Sequence, residues 1–217
     1  MNFYHFAEQL KEQLLEPLPG EIAQLKMAPA GRLSRDEYYS LLKKNPVQSA
    51  VLICLYPHSE KIFTALMLRP QERGFHSGQV SFPGGKFEES DNDLLGTALR
   101  EAREELGIAA SSIEVLGGIT PVYIPVSNFL VQPFITCLDR RPDFLKQETE
   151  VSEIIEIPID ELFREQVREK GFFESGRGLQ IEAPFFSIAG HRIWGATAMM
   201  LSELLEILSH IDRSLII

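Results

Sequence analysis

Glu101, Glu104 and Glu105 stand at i, i+3 and i+4 within the stretch ALREAREELG, residues 98–107. On a helix these carboxylates crowd together, and like charges at that spacing cost stability. At about 100° per residue, Leu95, Ala98, Leu99, Ala102 and Leu106 line up as an apolar stripe. The three glutamates fall in a second sector across the axis, and Arg100 and Arg103 lie outside both. Such a patch is either a solvated acidic face or a site for a hard divalent cation. Mg²⁺ and Mn²⁺ take oxygen ligands, commonly a few carboxylates plus substrate phosphates. Ions between the patch and a diphosphate would offset the repulsion on both sides, polarise the phosphorus and lower the pKa of an attacking water.

The elements that must hold this patch follow from pattern and punctuation. The spacing predicts a helix over about 92–107, with Ser90 and Asp93 as a capping box and Gly107 at its C-terminal end. Upstream, SAVLICLYP and KIFTALMLRP read as strands joined by a polar hairpin loop. GQVSFPGG begins extended and ends in a Pro-Gly-Gly turn. Downstream, SIEVLGGI, FLVQPFITCL, VSEIIEIPI, QIEAPFFSI and HRIWG read as strands. IDELFREQVREK reads as a helix, and ATAMMLSELLEILSHI as an amphipathic C-terminal helix. Residues 1–16 read as a helix with Phe6, Leu10 and Leu14 on one face, and SRDEYYSLLKK as a short one capped by Ser34. Strands and helices without strict alternation argue for one mixed α/β domain.

The segment GGKFEESDNDLLGTALREAREELGI resembles the Nudix box, a loop-helix-loop motif. Its helix pattern is met at every position from Arg100 through Glu101, Glu104, Glu105 and Gly107 to Ile108. One departure lies in the loop. The usual box has its first glycine where Lys86 stands, so the loop is one residue longer. The box's first acid then corresponds to Asp91 or Asp93. Residues 66–86, LMLRPQERGFHSGQVSFPGGK, resemble the coenzyme A pyrophosphatase branch through Arg69, His76, Gly78, Gln79, Val80, Phe82, Pro83, Gly84 and Gly85. That branch shows the same lengthened loop. RIWGATAMML, residues 192–201, is similar to its C-terminal segment.

The resemblance implies a Nudix α/β/α sandwich with a mixed sheet over residues 46–217, preceded by an N-terminal helical extension over 1–45. It implies Mg²⁺ or Mn²⁺ held by Glu101, Glu104, Glu105 and the backbone of Gly85, with Arg100 orienting a carboxylate. A further acid from a loop outside the box is expected at Glu150. Glu150 or Glu101 would be the general base. Arg69, Arg73, His76 and Lys86 are the cations available to substrate phosphate. Trp194 could stack on an adenine, although core packing is the commoner fate of such an aromatic. The implied reaction is hydrolysis of a nucleoside-linked diphosphate, with coenzyme A cleaved to 3′,5′-ADP and 4′-phosphopantetheine. The alternatives are ADP-ribose, dinucleoside polyphosphates or oxidised nucleotides as substrate, or a non-catalytic nucleotide-binding module.

Composition bounds the rest. The formal net charge of -10 argues against general binding to nucleic acid, which needs Lys and Arg at the phosphates. A small polyanion would need local cations or metal. Cys54 and Cys137 lie in apolar segments without a CxxC partner and read as buried, reduced thiols. The N-terminus lacks the basic and apolar regions of a secretory signal, and no apolar run is long enough for a bilayer. The expectation is a cytoplasmic protein without membrane or nucleic-acid partners, its oligomeric state open and a homodimer included.

Overall fold

The computed structural model describes residues 2–31, 40, 45–71, 77–174, 178 and 180–216. Its spine is strand β1 (Val47–His58), which carries the apolar run from Ala50 to Tyr56. Successive side chains of a strand point to opposite faces. Ala50, Leu52, Cys54 and Tyr56 therefore join one buried cluster, while Ile53 and Leu55 join another. A strand buried on both faces needs layers on both sides, and helices supply them.

β2 (Lys61–Leu68) returns antiparallel to β1 through a two-residue turn in which Ser59 and Glu60 both have positive φ. That geometry matches the twist of a hairpin. β3 (Val80–Ser81) pairs with β2, and β4 (Gly84–Lys86) pairs antiparallel with the first half of β1. The expected Pro-Gly-Gly turn is thus a strand at Gly84 and Gly85. A side chain at Gly84 would collide with the Ala50 carbonyl and with Val51, so only glycine allows this close pairing. Helix α3 (Leu94–Leu106) follows. β5 (Glu114–Gly118), β6 (Val122–Ile124) and β7 (Phe129–Cys137) come next, with β7 parallel to β1 and flanked by β5 and β6. β8 (Glu153–Pro158) completes the eight-stranded mixed sheet by pairing with β2.

The segment expected to be one helix over 159–170 is different. α4 (Ile159–Leu162) stops after four residues, and Arg168 already begins β9 (Arg168–Glu174). β9, β10 (Gln180–Ile188) and β11 (His191–Trp194) form a second, three-stranded antiparallel sheet. Pairing across seven residue pairs with β10 overrides the helical propensity of a charged stretch.

The C-terminal helix α5 (Gly195–Leu208) is buried nearly all round rather than amphipathic, because it lies between the sheets and the N-terminal helices. α1 (Phe3–Gln13) inserts Phe6 and Leu10 into the same cluster, and α2 (Gly20–Leu25) lies along α5. The expected helix over 34–44 falls, but for Ser40, outside the described residues. α3 covers the opposite face of the large sheet, with Ala98, Ala102 and Leu106 packed on β1. The layers are helix, sheet, helix. Among the described residues no helix is long and apolar enough to cross a membrane.

Candidate active site

α3 starts where the Asp93 carboxylate accepts the Gly96 N–H at 2.7 Å. Asp93, not Ser90, is the cap. The helix ends at Gly107, whose φ of +73° is a left-handed conformation that glycine adopts without strain. These ends fix which way the carboxylates face.

Glu101, Glu104 and Glu105 do not share one environment. Glu104 is about half exposed, with 48% of its side-chain surface open. Glu105 is buried, although helical periodicity places all three across the axis from the core stripe. The reason is β4: its backbone rises beside α3, and the Gly84 N–H donates to Glu105 Oε2 at 2.8 Å. Arg69 Nη1 lies 3.8 Å from Glu105 Oε1. Arg69 is reached because Ala65 and Met67, four and two residues earlier, face α3 from β2. Burial pushes the Glu105 carboxyl up to about 8, against the pull of the Gly84 N–H and of Arg69. Burial also raises Glu101, against its bond to Arg100. Glu150 sits close enough for its charge to raise both carboxyls.

Arg100 ties the patch together. Its Nε and Nη2 donate to the two oxygens of Asp91 at 2.8 and 3.1 Å. Its Nη1 donates to Glu101 at 2.9 Å and to Glu104 at 3.3 Å, and Nη2 also donates to the Lys86 carbonyl at 3.2 Å. Asp91 in turn accepts from the Thr97 hydroxyl at 2.8 Å and the Glu88 N–H at 3.0 Å. The Arg100 guanidinium holds the Asp91 carboxyl well below the usual carboxylate range. Of the two candidate acids in the lengthened loop, Asp91 therefore makes the pair with Arg100 and Asp93 caps the helix.

Gly85 pairs with Ala50 in the β4–β1 ladder, directly under Glu101. A side chain there would strike the Glu101 carboxylate, so glycine brings the β4 backbone against the acid patch. The Lys86 side chain is exposed, and its carbonyl takes part through Arg100. Arg73 and His76 fall outside the described residues. Trp194 stacks on Phe173 at 4.5 Å in the three-stranded sheet. Cys54 and Cys137 are free and buried, and burial pushes the Cys54 thiol up to about 12.

Sequence reasoning left the Thr97 hydroxyl, the Glu88 N–H and the Lys86 carbonyl unnamed, and it left Asp91 as one of two candidates. The signal for Asp91 was present as an acid near the box's first acidic position, but Asp93 two residues on was an equal competitor. Nothing in a side-chain pattern marks a backbone carbonyl.

Among the described residues no three Asp, Glu, His or Cys side chains converge to wrap one ion unaided. The donor chemistry still suits a hard divalent cation. Three glutamates stand along one helix beside a glycine backbone, and an added positive charge would oppose the burial that favours the neutral form of Glu105. What the arrangement can do is hold carboxylate oxygens at a sheet edge, with two of them steadied by one guanidinium.

The NUDIX domain profile matches residues 46–175. Human mitochondrial coenzyme A diphosphatase NUDT8 is 36% identical over 172 residues, covering 77% of this chain and 72% of that protein. A protein of Yersinia enterocolitica, named as the uncharacterized Nudix hydrolase NudL, is 35% identical over 164 residues, covering 75% of this chain and 82% of its own. Among solved structures, the Nudix hydrolase RenU of M. smegmatis aligns with a TM-score of 0.54 at 15% identity, over 77% of this chain and 88% of that one, and so supports the fold alone. With a profile spanning more than half of its length and relatives this similar over most of both chains, the protein belongs to the Nudix family, as a Nudix pyrophosphohydrolase.

Proposed function

We propose that this chain hydrolyses the diphosphate of coenzyme A or its derivatives, releasing 3′,5′-ADP and 4′-phosphopantetheine. One observation carries the substrate class. The branch-like segment 66–86 builds the carboxylate site itself, through Arg69 at 3.8 Å from Glu105 and the Gly84 N–H on its other oxygen. The similarity to NUDT8, named as a coenzyme A diphosphatase, points the same way.

Mg²⁺ or Mn²⁺ would be held by Glu101, Glu104 and Glu105 with the Gly85 backbone. When bound, it supplies positive charge to the diphosphate oxygens. The protein's own residues do the positioning. Arg100, anchored on Asp91, steadies Glu101 and Glu104. Arg69, Lys86 and, from the segment beyond the described residues, Arg73 and His76 supply cations for substrate phosphate. Water adds to one phosphorus, the anhydride bond between that phosphorus and the bridging oxygen breaks, and the bridging oxygen leaves on the other phosphorus, so that one product carries the water's oxygen and the other the bridging oxygen. Glu150 or Glu101 takes the water's proton.

Glu104→Gln tests the acid patch. It removes one charge from a half-exposed position and leaves the core untouched. Turnover of coenzyme A should fall by ~100-fold or more, as for loss of a positioned acid or ligand, with an unchanged circular dichroism spectrum. A folded variant with wild-type turnover would overturn the metal-site reading.

A further inference from the structure

The loop between β7 and β8 has no regular secondary structure and is largely exposed, yet it is tied down at five residues in a row of seven. Arg141 donates from Nε and Nη2 to both oxygens of Glu156, at 2.8 and 2.6 Å. Glu156 Oε2 also accepts the hydroxyl of Tyr56, a fully buried residue of β1, at 2.8 Å. The Phe144 ring lies edge-on to Tyr56 at 5.9 Å, with the Arg141 guanidinium over it at 5.4 Å. Next, the Leu145 N–H donates to the Leu106 carbonyl and the Gln147 N–H to the Glu105 carbonyl, both at 2.9 Å. These two bonds satisfy carbonyls that the end of α3 would otherwise leave open. Lys146 Nζ donates to the Ser152 carbonyl at 3.0 Å. Finally, the Gln147 carbonyl accepts the N–H groups of Glu150 and Val151, at 3.0 and 2.8 Å.

The chain of contacts runs from β1 and β8, through the loop, onto the backbone of Glu105, and ends at Glu150. An exposed loop without such ties would sample many conformations and hold no side chain in register with α3. Glu153, also an acid next to this loop, pairs instead with His191 at 3.4 Å, on the β10–β11 hairpin. Glu148 pairs with Lys146 at 3.1 Å.

We propose that Arg141, through its bidentate pair with Glu156 and its stacking on Phe144, is a positioning residue that holds the 141–150 loop against α3 and so fixes Glu150 over the carboxylate patch. Arg141 touches no reacting group. The proposal rests on the reading of Glu150 as a working acid of the site.

A double-mutant cycle with Arg141→Ala and Glu150→Gln tests it, run where circular dichroism shows each variant folded. Glu150→Gln should lower kcat about 100-fold, within the range for a positioned acid or base. Arg141→Ala should lower kcat about 10-fold with KM unchanged. In the Glu150→Gln background, Arg141→Ala should cost nothing further. Arg141→Lys should not restore kcat, because an ammonium cannot make the two parallel bonds to Glu156. If Arg141→Ala fails to fold, Glu156→Gln takes its place in the same cycle, since it weakens the ion pair while keeping the side chain's shape. Losses that multiply in the double variant would overturn the positioning role and leave Glu150 standing. Wild-type kcat in Glu150→Gln would overturn both.

Discussion

Glu105 feels two opposing influences: burial favours its neutral form, while the Gly84 N–H and Arg69 favour the ion. Burial wins, and the folded protein holds this proton more tightly than the unfolded chain does. A carboxyl raised in this way contributes stability that is full below its ordinary value of 4.5 and is lost as pH rises through about 8. In chelator, the Tm should therefore fall between about pH 5 and pH 8.5, and Glu105→Gln should flatten that fall. Added Mn²⁺ should raise the Tm more at the alkaline end, where no proton competes for the oxygens. A flat wild-type profile in chelator would contradict the burial argument. Asp91 is the mirror case. Its carboxyl is held low by Arg100, so its contribution is present above its ordinary value and is lost only in acid. Asp91→Asn should remove the charged half of the two-bond pair that anchors Arg100, costing about 3 kcal/mol in denaturant unfolding and loosening Glu101 and Glu104.

Among elements, β4 does more than extend the sheet. It packs between β1 and α3 so closely that a Cβ at Gly84 would meet the β1 backbone and one at Gly85 the Glu101 carboxylate. Gly85→Ala would press a methyl group into the Glu101 carboxylate, which would have to swing away from its place beside Arg100. A fall in kcat of about 10-fold or more is expected in a protein that still folds, read by steady-state kinetics beside circular dichroism. The opposite layer has its own tie. Glu203 of α5 is fully buried and accepts from the Gly20 N–H at 3.1 Å, the Gln24 amide at 2.8 Å and the Thr120 N–H at 3.3 Å. Glu203→Ala removes the acceptor shared by three donors, one of them buried and two part-buried. It should cost about 2–4 kcal/mol in urea unfolding, with kcat retained at temperatures where the variant is folded.

How much of this was legible in the sequence depends on range. The glutamate helix and its glycine end, the hairpin of β1 and β2, and the long apolar strands were legible because period and punctuation act within a few residues. β4 was not, because a glycine pair reads as a turn until a partner strand is known. β9 was not, because its charged residues favour a helix locally and only pairing with β10 decides otherwise. The burial of Glu105 was missed for the same reason: helical periodicity places a residue relative to its own axis and says nothing of the strand that rises beside it. Asp91 and Asp93 were separable only once one was seen to cap the helix and the other to meet Arg100.

At the scale of the whole molecule, the mixed sheet separates two cores that do different jobs. The cluster shared by α1, α5 and the three-stranded sheet is the larger, and it gives the sheet a rigid back. The smaller cluster under α3 sets the carboxylates at the sheet's edge. The N-terminal helices, which precede the family match at residue 46, are built into the larger core through Phe6, Leu10 and the Glu203 tie. The net charge of -10 leaves Arg69, Arg100 and Lys86 as local exceptions around the acid patch, which suits a substrate that arrives with its own negative charge and needs metal to be held. Product analysis should follow incubation of the purified protein, with Mg²⁺ or Mn²⁺, against coenzyme A and ADP-ribose in parallel. Formation of 3′,5′-ADP from coenzyme A at the higher kcat/KM is the expected result. Faster cleavage of ADP-ribose would contradict the substrate class drawn from residues 66–86, and cleavage of neither would contradict the proposed reaction on both.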